Sequence, residues 1–367
     1  MGGLLDLVIF NEMANENEAE LSGENVSRYI LRVNPIDFYS DNAFHMRYRM
    51  SKASELVFCT LVEDKLVRQS NRSNAIPPII QVLAAIRLYA SGSLQQMSSD
   101  CIKISQPSMS RISKSFSQAV ASLSSTYISM PTTEFELNRV KDGFRAIAGI
   151  PNIVGAIDGT HIAVKVEEKD NLARFMNRKS YMSINVQAIV DAQMIFRNLV
   201  VRWPGSTHDS RIFRNSRVYS QLLNGQIDGA LLGDSGYPCS RFLLTPIAHP
   251  LPGPQSTYNK AHKKSRNLVE RTFGGWKRRF NILSTLIQHK LENSINVIVA
   301  CGVLWNFIKL RHDNSWEDSV EQEYLLDNIE QMEEIEIDLD EENSFVGNQF
   351  DSNQFEYRNY IISTYFN

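Results

Sequence analysis

The sequence predicts an α/β chain: an all-α N-terminal region with a helix-turn-helix-like segment, then a core built on a mixed sheet. Three observations predict it. From Val26 to about Thr126 apolar residues recur at helical spacing and no long alternating run appears. At Ile153 the texture changes to three β-branched, alternating runs. A helical stretch, a short fourth strand and further helices follow. A length of 367 residues leaves room for two domains.

Residues 1–25 are acidic and polar and are expected to be disordered. The apolar run from Leu4 to Phe10 lacks a basic flank and is too short for a signal peptide or membrane span. MGGLLD departs from a myristoylation signal at Asp6, where Ser or Thr is expected. An intracellular chain with no membrane association is expected.

A helical domain is expected over residues 26–148. Phe44 and Tyr48 stand at an i, i+4 interval, as do Val57 and Leu61. Pro77-Pro78 opens the apolar helix IIQVLAAIRLYAS, which ends near Gly92. A short helix follows at about 94–101, then a turn through Lys103-Ile104. A second helix starts near Ser105, a good N-cap, with Pro107 in its first turn. Met109, Ile112, Phe116 and Val120 form its inner face, and Gln106, Ser108, Arg111 and Lys114 its outer face. The segment 78–125 reads as a helix-turn-helix offering Arg111 and Lys114 to a DNA groove, or as an ordinary helical pair of a bundle.

The second domain is expected over residues 149–312. IVGAIDGTHIAVKV, SYMSINVQAIVD and FRNLVVRWPG read as strands, and SRIFRNSRVYSQLL reads as a helix. GALLGDS is a short buried strand ending at Gly233-Asp234. Residues 238–262, rich in Pro and turn formers, read as a long connection. SRNLVERTFGGWKRRFNIL is a helix despite Gly274-Gly275, and Ile295 to Leu310 is a helix apolar almost all round. This order of elements is that of an RNase H-like core. No internal repeat is evident.

The net charge of −3 hides an asymmetry. Glu317–Glu342 carries thirteen acidic residues and no basic one, so residues 313–367 read as an acidic tail. Residues 1–315 hold 37 Lys and Arg against 26 Asp and Glu, a net of +11. A basic body with an acidic tail suits a nucleic-acid binder, or is a solvated surface with an acidic end. Cys59, Cys101, Cys239 and Cys301 form no CxxC pair and read as reduced, with no zinc site. Neither GxxxxGK nor GxGxxG occurs, so neither ATP nor NAD is expected.

Three acidic residues sit where such a core would gather them: Asp158 in GAIDGTH, Asp234 in LLGDSGYP and Glu270 in RNLVERTFGGWK. Breaking a phosphodiester needs an activated water and a stabilised leaving oxygen. Two divalent ions roughly 4 Å apart, bridged by carboxylates on rigid elements, supply both. Hard oxygen donors suit Mg²⁺ or Mn²⁺. A lone Asp at a strand end is more often a turn former or helix cap. Asp158 differs: it lies inside an otherwise apolar strand, where a carboxylate is costly unless paired or metal-bound. Arg266, Glu270 and Lys277 fall on one helix face, suited to phosphate neutralisation or to plain solvation. Lys260, Lys263, Lys264, Arg278 and Arg279 add to that basic surface.

In order along the chain, DGTHI (158–162), NRKSYMSINVQAIVD (177–191), WPGSTHDSRIF (203–213), GDSGYP (233–238) and RNLVERTFGGWKRRF (266–280) resemble the blocks of the PIF/Harbinger transposases. That family, of the DDE superfamily, includes transposase-derived nucleases of animals. The 35 residues between Asp234 and Glu270 look like a DDE-type spacing. Arg266, Glu270 and Lys277 match the Arg-x3-Glu-x6-Lys interval of related insertion-sequence transposases. The resemblance covers roughly residues 40–312. It implies an RNase H-like nuclease domain in which Asp158, Asp234 and Glu270 bind divalent metal and catalyse DNA cleavage at terminal inverted repeats. Asp209 is a further metal ligand or the cap of the following helix. His161 and His208 orient a carboxylate or fill packing positions. Arg266, Lys277, Arg278, Arg111 and Lys114 are the expected DNA contacts. The resemblance also implies a separate Myb-like partner, a nuclear location and at least a dimer. Three functions fit: an active transposase, a host-domesticated nuclease, and a catalytically silent DNA-binding or scaffold protein.

Overall fold

Short polar side chains start the helices of the N-terminal half. Ser40 accepts a hydrogen bond from Ala43 N, and Ser51 one from Ser54 N, each closing the first turn of a helix. Thr133 and Glu136 form a reciprocal capping box, with Glu136 N donating to Thr133 Oγ1. The computed structural model describes residues 34–67, 75–100, 104–166, 172–313 and 355–366. The acidic start (1–25), Cys101 and the acidic run Glu317–Glu342 lie outside them.

The elements run α1 Pro35–Phe38, α2 Asp41–Tyr48, α3 Lys52–Leu66, α4 Pro78–Ser91, α5 Gln95–Asp100, α6 Gln106–Ala121, α7 Ser124–Tyr127 and α8 Glu134–Ala148. Then come β1 Ile153–Ala163, α9 Leu172–Phe175, β2 Ser183–Val190, β3 Phe196–Pro204, α10 Asp209–Arg214, α11 Arg217–Leu223, β4 Ala230–Leu232 and β5 Leu243–Leu244. The chain continues with α12 Pro254–Arg279, a 3₁₀ turn Asn281–Leu283, α13 Leu291–Leu310 and α14 Glu356–Tyr365. The five strands form one mixed sheet in the order β3-β2-β1-β4-β5. β1, β2 and β3 are an antiparallel meander, and β4 and β5 run parallel to β1. The turn between β2 and β3 is closed by the buried Asp191, whose Oδ1 accepts from Gln193 N and Ile195 N while Oδ2 pairs with Arg197.

The sheet has a core on each face. Ala156, Ile184, Val186 and Phe196 join a large cluster with α12, α13 and the N-terminal helices; Val154, Ile157, Ile189 and Leu231 join a smaller one with Phe213, Val218 and Tyr237. The helices before Gly149 and the sheet after it thus share one hydrophobic cluster within one compact unit, Pro35–Asn367. α13 is apolar and long enough to cross a bilayer, but 67% of its most apolar stretch is buried in this core. Met109, Ile112, Phe116 and Val120 are buried on α6 as its periodicity requires, and Arg111 and Lys114 are exposed.

Four expectations change. SRIFRNSRVYSQLL is two helices, because Ser216 breaks the first and caps the second through Tyr219 N. The connection 238–262 contains β5, and α12 begins at Pro254 rather than near Ser265. Proline at the first helical position has no amide hydrogen to leave unsatisfied. Asn259 pins the preceding loop by bonding both N and O of Ile247, and Tyr258 donates to Thr245 O. The end of the acidic tail is a docked helix: Ile361 and Ile362 are buried, and Arg358 donates to Thr245 O and Pro246 O. Arg279, read as basic surface, is fully buried and donates to Arg49 O.

Gly274 and Gly275 sit in mid-helix for different reasons. A Cβ on Gly275 would stand 2.8 Å from the ring of Trp305, itself pinned by its indole N–H to Met194 O. A Cβ on Gly274 meets only the end of Arg278 at 3.9 Å. Gly275→Ala is expected to lower stability by about 1–3 kcal/mol through overpacking. Gly274→Ala should raise it by up to about 1 kcal/mol through helix propensity. Denaturant melts of the two variants check both signs.

Candidate active site

The last pairing between β1 and β4 is Ala156 with Leu232. Two residues further along each of these parallel strands stand Asp158 and Asp234, at equivalent positions where the strands part. Crevices at the carboxyl ends of diverging parallel strands are common ligand sites, because both chains turn away there and leave backbone-lined space. Asp158 remains paired with Ala188 of β2, so one edge of the crevice is rigid. Asp234 lies in a tight turn, its Oδ1 accepting from Gly236 N at 3.0 Å.

Asp209 reaches the same place from the start of α10. Glycine at 159 makes this possible: a Cβ there would lie 2.3 Å from Asp209 Oδ1. Asn185 of β2 donates to Asp209 Oδ1 at 2.7 Å and to Thr207 O at 2.8 Å. Gln187 donates to Asp209 O at 2.8 Å and to the buried Tyr237 hydroxyl at 2.9 Å. Asn185, Gln187 and Tyr237 therefore fix Asp209 from below. Burial raises the Asp158 carboxyl to about 7, against the pull of Gly159 N and Arg266, with Asp234 and Asp209 pushing further up. Burial also raises Asp209, opposed by its Asn185 hydrogen bond and reinforced by Asp234. Three carboxylates thus share one electrostatic neighbourhood.

Glu270 approaches from α12 and is not turned into that group. Arg266, one turn earlier, bonds Glu270 Oε1 at 2.5 Å and Asp158 Oδ2 at 3.3 Å, so its guanidinium stands between them. Among the described residues no three His, Cys, Asp or Glu side chains are close enough together to enclose a metal ion. Lys277 is turned inward: its ammonium donates to Thr160 Oγ1 at 2.7 Å and His161 O at 3.0 Å, tying α12 to β1. Burial lowers it to about 8, helped by Lys179. Arg278 is half-buried, whereas Lys260, Lys263 and Lys264 are exposed.

His161 bonds the Ser183 hydroxyl and His208 contacts Arg178, and among the described residues neither is hydrogen-bonded to a carboxylate. Burial, and then Lys277, lowers the His161 pKa. Sequence reasoning passed over Asn185, Gln187, Tyr237 and Arg178. The first two were visible, with Ser183, as alternating polar residues in a strand whose other positions are apolar, a pattern that marks one face as polar without saying what it holds.

Residues 157–306 match the family described as DDE superfamily endonuclease. The chain is 32% identical over 313 residues to the Rattus norvegicus protein named "Putative nuclease HARBI1", covering 83% of this chain and 89% of that protein. Its Homo sapiens counterpart is 32% identical over 318 residues, with the same coverage. "Protein ALP1-like" of Arabidopsis thaliana is 28% identical over 298 residues, covering 75% of this chain and 72% of that protein. No solved structure matches.

The carboxylate group makes stability depend on pH. The folded-state pKa of Asp158, about 7, lies above its ordinary 3.8, so folding favours the protonated form. That contribution is whole below pH 4 and is lost as pH rises through 7. Without divalent ions, wild-type stability should fall over that window, and Asp158→Asn should flatten the fall and exceed wild type at pH 8. Urea midpoints across pH 4–8 measure it; an unchanged slope in Asp158→Asn would assign the loss to other groups.

Proposed function

This chain belongs to the Harbinger transposase-derived nuclease family of DDE superfamily endonucleases, and on that premise we propose that it is a metal-dependent DNA endonuclease. Asp158, Asp234, Asp209 and Glu270 would hold divalent metal. One observation carries this: Asp209 and Asp234 lie near enough to Asp158, at the end of a central strand, for their charges to act on it, and burial with that repulsion pushes it up to about 7. Half-buried carboxyl groups gathered in this way fit a cation, and an all-oxygen donor set fits Mg²⁺ or Mn²⁺. When bound, such ions lower the pKa of an attacking water and stabilise the leaving oxygen.

The protein's own residues prepare the site. Asn185 and Gln187 hold Asp209 in place, Lys277 fixes α12 against β1, and Arg266 offers a guanidinium to a phosphate beside Asp158. The sheet order, with three antiparallel strands followed by two parallel ones, supports reading the core as RNase H-like. The substrate read from the resemblance is duplex DNA at transposon terminal repeats. The exposed Arg111 and Lys114 on α6 would add phosphate contacts if the α5–α6 pair acts as a helix-turn-helix. A nuclear location, a Myb-like partner and a dimer that holds two DNA ends belong to the same reading.

A second reading is a DNA-binding or scaffold protein that has kept the fold without cutting. Arg266 occupying Glu270 favours it, as does similarity to an Arabidopsis thaliana protein named for antagonism of a heterochromatin protein. Cleavage of a labelled duplex carrying candidate terminal repeats separates the two, with Mg²⁺ or Mn²⁺ and a Myb-like partner. Nuclease activity predicts metal-dependent cutting in wild type and at least a hundredfold loss in Asp234→Ala. Binding without cutting, equal in both proteins, would establish the scaffold reading.

A further inference from the structure

A cavity of about 700 Å³ opens at the outer edge of the sheet, beside the end of β3 and the start of α13. Lys165, Arg174, Arg202 and Lys290 line it, all exposed, with the half-buried rings of Phe175 and Trp203 between them. Among its described lining residues there is no carboxylate. Glu167 and Glu168 follow in the sequence and lie outside the described residues. The Trp203 indole is held by two guanidinium groups, Arg202 at 5.6 Å and Arg211 at 6.0 Å from its ring centre. Gly205 anchors the corner after it, packed so closely that a Cβ would lie 2.6 Å from Phe175 O.

The cavity is joined to the carboxylates by a short basic track. Arg178 bonds His208 Nδ1 at 3.2 Å, beside Asp209, and its charge acts on the Asp209 carboxyl. Four residues earlier Arg174 lines the cavity, and its carbonyl accepts from Ser206 N at 3.1 Å. The strip 174–178 therefore carries one cation at the carboxylate end and one at the cavity end. Phosphates along a single strand attract such a row of cations, and an exposed base stacks on an aromatic ring or a guanidinium.

We propose that this cavity binds one nucleotide of a DNA strand leading away from the carboxylates, its phosphate among the four cations and its base against Trp203 and Phe175. The DNA source of that nucleotide rests on the nuclease reading above; the phosphate-and-base chemistry of the cavity does not.

The test is fluorescence anisotropy of the full-length chain with a short labelled single-stranded oligodeoxynucleotide, in chelator so that no cutting intrudes. Charge reversal at two exposed positions, Arg202→Glu with Lys290→Glu, should weaken binding about tenfold or more and flatten its salt dependence. Trp203→Ala should weaken it about tenfold through lost stacking, with Trp203→Phe in between. Arg139→Glu, an equal change per site on the exposed face of α8, should alter it less than about twofold. Unchanged affinity in the double variant overturns the proposal. If a deoxynucleoside monophosphate or inorganic phosphate displaces the oligonucleotide at comparable concentration, the DNA source is overturned; failure of both to compete supports it. Should Asp234→Ala still cut while the double variant loses the oligonucleotide, the nuclease assignment of the carboxylates fails and the pocket stands.

Discussion

Asp158 is held on a central strand beneath α12, with only 15% of its side chain exposed, and a carboxylate taken out of water is costly unless its charge is answered. The surrounding structure answers that charge in part and adds to it in part. β4 stops pairing at Leu232, opening a gap that one more paired residue would have closed. Gly155 and Gly159 keep β1 slender: one lets Ile189 pack across the sheet, and the other admits the Asp209 carboxylate. Arg266 leans over from the helix with a positive charge, and Lys277 holds that helix in register by bonding the strand two and three residues beyond Asp158.

Much of this was legible in the sequence, for reasons that differ by element. β1, β2 and β3 are written in runs of β-branched and alternating residues that few other structures accommodate. The inner face of α6 follows directly from Met109, Ile112, Phe116 and Val120 at helical spacing. Asp158 stood out because nothing else in its strand was charged. The first turns of α12 were hidden, since nine of the twelve residues of PQSTYNKAHKKS are polar and the segment follows a proline-rich loop. β5 is two residues long and exists only because Leu231 and Leu232 are there to pair with it. No local pattern encodes a strand of that length. The brace formed by Asn185, Gln187 and Tyr237 was equally silent, because its meaning lies in what the three side chains touch across 50 residues of chain.

The cations of α12 show why a count of basic residues cannot locate a binding surface. Read as one face, they divide by depth. Lys260, Lys263 and Lys264 are exposed and free to meet phosphate. Lys277 and Arg279 are turned inward and donate to backbone carbonyls, tying α12 to β1 and to Arg49. Arg266 stands between these groups, one-fifth exposed, and pairs with two of the four carboxylates of the candidate site, Asp158 and Glu270.

That position gives Arg266 opposing effects on the chemistry proposed for the site. Its guanidinium pairs with Asp158 and Glu270 from within the protein, so a cation held by those same oxygens would compete with it, and affinity would be lowered by whatever those contacts contribute. The two contacts differ. Glu270 is 47% exposed, and an ion pair so open to water contributes little. Asp158 is only 15% exposed, and breaking its contact would leave a largely desolvated charge. Glu270 is therefore the donor that moves and Asp158 the one that stays. A DNA phosphate offers the guanidinium a two-point partner in place of the carboxylates. On the proposed reading, a phosphate at Arg266 would engage the guanidinium that otherwise pairs with Asp158 and Glu270.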